Sequence, residues 1–94
     1  MQENKNTNQL LLYRKRSRLS QKQVARLLGD RDESVLSRYE RGEVLPPLES
    51  ALKLEIIYRI PAAFLFPGLY GRLREDIRSL ESKLPRAAGK RSVQ

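Results

Sequence analysis

The segment Leu19-Ser20-Gln21-Lys22-Gln23-Val24-Ala25-Arg26-Leu27-Leu28-Gly29, followed after a polar linker by Ser34-Val35-Leu36-Ser37-Arg38-Tyr39-Glu40-Arg41-Gly42, constrains this chain more than any other feature. Ser20 and Gln23 fit a capping box, in which a hydroxyl and a side-chain amide reciprocally satisfy free amides at a helix start. Leu19 and Val24 are spaced to form the accompanying hydrophobic staple. Gly29 and Gly42 close the two runs, because glycine takes the left-handed conformation at a helix C-terminus without steric cost. Asp32 is the expected N-cap of the second run, which directs Leu36 and Tyr39 inward and Glu33, Ser34, Ser37 and Arg38 outward. The pattern is that of two short helices joined by a turn.

The flanking sequence extends this to an all-α chain. Residues 1–8 are polar and aperiodic, and read as a flexible arm. A first helix is expected from about Gln9 to Ser17, with Leu10, Tyr13 and Arg14 on one face. Pro46-Pro47 opens a fourth helix whose expected buried stripe is Leu48, Ala51, Leu52 and Tyr58. Pro61 begins a short fifth helix through Phe66, which Pro67-Gly68 is expected to end. Beyond it Tyr70, Leu73, Ile77, Leu80 and Leu84 recur at spacings of three, four, three and four, a heptad seam that Pro85 closes. That seam suits either an amphipathic helix folded back on its own domain or a dimer contact. The division is therefore an arm (1–8), a helical domain (9–67), an amphipathic helix (68–84) and a disordered basic tail (85–94).

Ninety-four residues suffice for one small core and no separate catalytic lobe. The chain contains no cysteine and no histidine, so a disulfide framework, a thiolate zinc site and a cysteine nucleophile are excluded. Carboxylate pairs such as Glu75 and Asp76 are adjacent on a helix and diverge, whereas acid–base catalysis needs converging groups. We expect no enzymatic activity, metal or cofactor. No segment has the length of a bilayer span and none resembles a signal peptide, which points to a soluble cytoplasmic protein without a membrane partner. The net charge of +8 is uneven: residues 1–29 carry +6, residues 30–60 carry −2 and residues 61–94 carry +4. Basic ends around a short two-helix unit fit a polyanionic partner.

Leu19-Ser20-Gln21, Ala25 at the helix crossing, Leu28-Gly29, Leu36-Ser37-Arg38-Tyr39-Glu40-Arg41-Gly42, Pro46, Leu48-Glu49, Leu52-Lys53-Leu54 and Leu65-Phe66 resemble the Cro and lambda-repressor type of helix-turn-helix regulator, also called Xre-type. The resemblance runs from Leu10 to Phe66. It implies a five-helix lambda-repressor-like DNA-binding domain, here with an additional C-terminal amphipathic helix. It also implies that Gln21 grips a phosphate at the start of the second helix, that Glu33, Ser34, Ser37 and Arg38 meet base edges, and that Arg14 and Glu40 form a structural salt bridge. Lys22, Arg31 and Arg41 complete the expected DNA-binding set. Tyr70, Leu73, Ile77, Leu80 and Leu84 are the expected dimerisation residues.

The chain departs from the family pattern in places. One extra residue separates Gly29 from Gly42, and Asp30-Arg31-Asp32-Glu33 fills a turn that usually offers an apolar residue to the core. Either the turn is longer and more polar, or the third helix starts earlier. Glu43-Val44 follow Gly42 where basic residues are common. Pro47 stands in place of a serine cap, Arg59 in place of a glycine, and Glu55, in place of a small apolar residue, is set to pair with Arg59. The function expected is sequence-specific binding of double-stranded DNA by a transcriptional regulator, a repressor on an inverted repeat as a homodimer. The alternative is an antitoxin or interaction module whose main partner is another protein.

Overall fold

A computed structural model of the chain describes residues 8–85. It contains six helices and, among the described residues, no strand: α1 (Leu10–Arg16), α2 (Gln21–Leu28), α3 (Ser34–Glu40), α4 (Leu48–Tyr58), α5 (Ala62–Leu65) and α6 (Pro67–Glu81). The expected flexible arm and basic tail fall outside the described residues except at Asn8 and Pro85. Asn8 belongs to the fold: its Oδ1 accepts from the Leu10 amide at 2.9 Å and its Nδ2 donates to the Tyr39 carbonyl at 2.9 Å, tying the start of α1 to the end of α3.

Four of the helices end in the same way. The amide of Gly29 reaches the Arg26 carbonyl and that of Asp30 reaches Ala25; Gly42 reaches Tyr39 and Glu43 reaches Arg38. Arg18 and Leu19 repeat the pattern on Lys15 and Arg14, and Ile60 reaches back to Glu55 across Arg59. Such closures need one residue at positive φ. Gly29 (90°) and Gly42 (75°) supply it without strain, whereas Arg18 (59°) and Arg59 (57°) hold it against a Cβ penalty. The position where Arg59 replaces the family's glycine is therefore one that glycine suits physically.

The core is built by Leu10, Val24, Leu28, Leu36, Tyr39, Leu54, Tyr58, Leu65 and Phe66, with Leu19, Val44, Ile57, Ile60 and Leu69 against its edge. The capping box of α2 is formed as expected, the Gln23 amide donating to Ser20 Oγ at 3.0 Å and the Ser20 amide to Gln23 Oε1 at 2.8 Å. Ala25 is buried at the crossing of α2 with its neighbours. Lys53 Nζ donates to the Leu28 carbonyl at 3.1 Å, a cation at the negative end of α2.

Several expectations are corrected. Helix α3 starts at Ser34, with Glu33 in the cap position, so the turn is the longer and more polar of the two alternatives. Asp32 stands one residue further out, where its Oδ1 accepts from both the Ser34 amide (2.9 Å) and the Ser34 hydroxyl (2.6 Å). In α4 the stripe that faces inward is Ala51, Leu54 and Tyr58, whereas Leu48 and Leu52 are exposed. Apolar residues occupy nearly the whole circumference of this helix, and packing against α2 and α5 selects the face. Glu55 does not pair with Arg59: its Oε1 accepts from the Ala62 amide at 3.0 Å and caps α5. Pro67 opens α6 rather than ending α5, because proline at the first helical position lacks only an amide that would be free anyway.

Candidate nucleic-acid interface

Helices α2 and α3 and the linker between them carry the residues expected to meet DNA. An ionic pair braces them from behind. Arg14 Nε donates to Glu40 Oε2 at 2.7 Å and Nη2 to Oε1 at 3.3 Å, with the two side chains only 12% and 5% exposed. Arg14 Nη1 also donates to the Leu19 carbonyl at 3.1 Å. Hydrogen bonding to Glu40 holds the Arg14 guanidinium above its ordinary pKa, so Arg14 stays charged. The pair expected from sequence thus joins α1 to α3.

Gln21 takes part in this brace. Its Nε2 donates to Glu40 Oε1 at 2.9 Å, which places the half-buried first residue of α2 against the last residue of α3. One amide hydrogen remains for another acceptor. Next to the pair, Tyr58 is buried, and its hydroxyl has no hydrogen-bond partner among the described residues. Burial and the Glu40 charge push the phenol pKa upward, partly offset by Arg14, so it remains neutral.

The outward side of α3 is organised by short hydrogen bonds. Ser34 donates its hydroxyl proton to Asp32, which leaves the Ser34 lone pairs for outside donors. That contact and the Ser34 amide hold the Asp32 carboxyl below its usual pKa range. Ser37 Oγ instead accepts from Arg41 Nη1 at 2.6 Å, which frees its own proton. Arg41 also donates from Nε to Glu43 Oε2 at 2.7 Å and from Nη2 to Glu43 Oε1 at 3.3 Å, and Arg38 Nε lies 3.8 Å from Glu43 Oε1. The hydrogen bond from Arg41 depresses the Glu43 pKa, and the same bond raises that of Arg41.

The expected site residues are thereby placed. Ser34, Arg38 and Arg41 are exposed, Glu33 and Ser37 are half-buried, and Lys22 and Arg31 are exposed on the first turn of α2 and in the linker. Among the described residues no hydrogen bond or ion pair ties Lys22 or Arg31 to the α3 network. Asp32 and Glu43 touch these residues, through Ser34 and through Arg38 and Arg41, and sequence reasoning did not place them in the site. Only the acidic character of the linker and of the residue after Gly42 signalled them. Arginine donors, serine hydroxyls of opposite polarity and carboxylates on one helix face can discriminate base edges in a major groove. Among the described residues no acidic cluster is placed to hold a metal ion, and no helix is long and apolar enough to cross a membrane.

The expected dimerisation residues lie apart from this face. Tyr70, Leu73, Ile77 and Leu80 are all about half exposed on α6, and every residue from Arg72 to Pro85 is exposed. The seam is therefore not folded back on its own domain. Leu84 lies past the last helical residue, Glu81, in a turn, so the helix carries a shorter seam than its spacing suggested.

Comparison with known proteins found a family match, whereas no curated protein and no solved structure matches the chain. The family model, described as helix-turn-helix, matches residues 10–65, more than half of the chain and the whole of the unit from α1 to α5. The capped α2, the glycine-closed α3 and the brace between them are accordingly those of a DNA-binding transcription regulator, and the chain belongs to the helix-turn-helix family of Xre and lambda-repressor type.

Proposed function

We propose that the protein is a sequence-specific repressor that works in the cytoplasm and binds an inverted repeat in duplex DNA as a homodimer. The observation that carries this reading is the outward face of α3 and its C-terminal cap, where Ser34, Ser37 and Arg41 have their polar groups hydrogen-bonded and Arg38 lies 3.8 Å from Glu43, while Leu36 and Tyr39 anchor the helix from behind. Glu33 and Arg31 border that face, and Lys22 with Gln21 sits at the α2 N-terminus, where free amides and positive charge suit a phosphate. One recognition helix covers only a few base pairs, so a symmetric pair multiplies selectivity. A bound pair excludes other proteins from the DNA it covers, hence repression.

The pairing surface in this reading is α6 with α5. A shallow groove lined by Ala62, Ala63, Phe66, Leu69, Tyr70 and Leu73 shares its last two residues with another lined by Arg74, Ile77 and Arg78, so the seam and the fifth helix form one continuous surface. The same exposed seam favours a second reading, in which the occupant is a different protein and the chain acts as an antitoxin or interaction module.

Selection from random duplex DNA at near-physiological salt tests the first reading, with a Lys22→Ala/Arg38→Ala variant as control because both side chains are exposed and away from the core. Enrichment of an inverted repeat that the variant no longer binds is the expected result. A folded protein that enriches nothing would overturn it and favour the second reading.

A further inference from the structure

Glu43 owes its position to the way α3 ends. Gly42 at φ 75° turns the chain back, the Glu43 amide donates to the Arg38 carbonyl at 3.0 Å, and the Glu43 side chain is carried over the last turn of the recognition helix. Helices closed in this manner commonly bring an apolar residue at this position against one on the last turn. Here the contact is ionic, between Glu43, Arg38 and Arg41.

The geometry at Arg41 is that of a guanidinium already engaged by an anion. Two parallel N–H donors meet the two Glu43 oxygens, at 2.7 and 3.3 Å, in the fork arrangement that arginine uses for phosphate or for a guanine edge. A third donor goes to Ser37. Of the five N–H groups a guanidinium carries, two remain. Arg38 has the same carboxylate within 3.8 Å. All three side chains are roughly half exposed, so the carboxylate occupies solvent-facing donors on the face that would meet DNA.

We propose that Glu43 is an internal counter-ion of the recognition helix, standing where a DNA phosphate would stand and competing with it for Arg41 and Arg38. The inference rests on the DNA-binding reading of this face. Its consequence is that the protein holds in reserve part of the charge its recognition helix carries. Non-specific affinity, which is almost wholly electrostatic, is lowered as a result. The lowered pKa of Glu43 keeps the counter-ion charged throughout the physiological range.

The test is Glu43→Gln, which keeps the size and one acceptor oxygen but removes the charge and the second acceptor of the fork, on a mixed-sequence duplex of about 20 base pairs, long enough for two half-sites one turn apart. Binding is followed by fluorescence anisotropy across a salt series. The variant is expected to bind about three- to tenfold more tightly, with the slope of log K against log salt steeper by about one, as for one added phosphate contact. The gain is expected to disappear in an Arg41→Ala background. Equal affinity and slope for wild type and E43Q would overturn the inference while leaving DNA binding intact. Weaker binding by E43Q would also overturn it, since Glu43 would then be orienting the arginines for DNA. Absence of any binding by both folded proteins at low salt would overturn this inference together with the reading beneath it.

Discussion

Removing the Glu40 carboxylate should cost more stability than any other single change outside the apolar core. Glu40 accepts from Arg14 Nε and Nη2 and from Gln21 Nε2, and its side chain is 5% exposed. Glu40→Ala leaves a guanidinium that is 12% exposed, with the Leu19 carbonyl as its one remaining hydrogen-bond partner among the described residues. Breaking a buried pair from one side costs about 3–5 kcal/mol, and a hydrogen bond to a charged group contributes about 1.5–3 kcal/mol. The residual access of Arg14 to water and its retained bond to Leu19 place the expected loss at the low end, about 3 kcal/mol. For a domain of this size that corresponds to roughly 12–24 °C in Tm and to a large share of a total of about 5–10 kcal/mol. Urea unfolding followed by far-UV circular dichroism measures it, with the m-value checking that the same transition is observed. A double-mutant cycle completes the test, because Arg14→Met in the Glu40→Ala background removes the stranded charge and should cost much less than Arg14→Met alone adds to Glu40→Ala on paper. A loss below about 1 kcal/mol, or strict additivity in the cycle, would refute the view that this pair braces α1 against α3.

Three further outcomes are expected. Arg59→Gly should stabilise the protein by about 0.5–1 kcal/mol in the same unfolding assay, since relief of about 1–2 kcal/mol at a left-handed residue outweighs the added freedom of the unfolded chain. Tyr58→Phe should be neutral or slightly stabilising at neutral pH, because it removes a buried hydroxyl without a partner. The folded-state pKa of Tyr58 is raised, so its contribution is complete below the ordinary tyrosine pKa near 10 and is lost above it; the wild type should therefore lose stability above about pH 10 by up to about 1.4 kcal/mol per pH unit more than Tyr58→Phe, measured by urea titration at each pH. Leu73→Glu/Ile77→Glu should abolish self-association in sedimentation velocity while leaving the Tm of the helical domain unchanged, because neither side chain enters the core.

The parts of the fold legible in sequence are those fixed by local chemistry. Ser20 with Gln23, and Gly29 and Gly42, declare where α2 begins and where α2 and α3 end, since capping and left-handed closure are decided within a few residues. The inward pair Leu36 and Tyr39 and the Arg14–Glu40 brace were equally readable, the latter through family resemblance. The inward face of α4 was not. Leu48, Leu52 and Ile56 trace one helical stripe and Ala51, Leu54 and Tyr58 another, and only the neighbours of α4 choose between them. Nor was the left-handed turn at Arg18 legible, because arginine carries no compositional mark of that conformation. The α3 surface was readable as a set of outward positions, but its polarity was not: that Ser34 spends its proton on Asp32, while Ser37 accepts from an arginine that Glu43 also holds, depends on side-chain geometry that spacing does not encode.

The exposure of α6 from Arg72 onward has a consequence for how such a protein can change. In the proposed reading, the pairing residues of α6 from Arg72 onward and the residues of the DNA-facing surface share no buried atoms, so substitutions in one set should leave the energetics of the other almost untouched. Under the proposed pairing along α6, preference of one copy for another can therefore drift, and copies of the gene can part company into chains that no longer associate, while the proposed DNA-facing surface of each stays as it was.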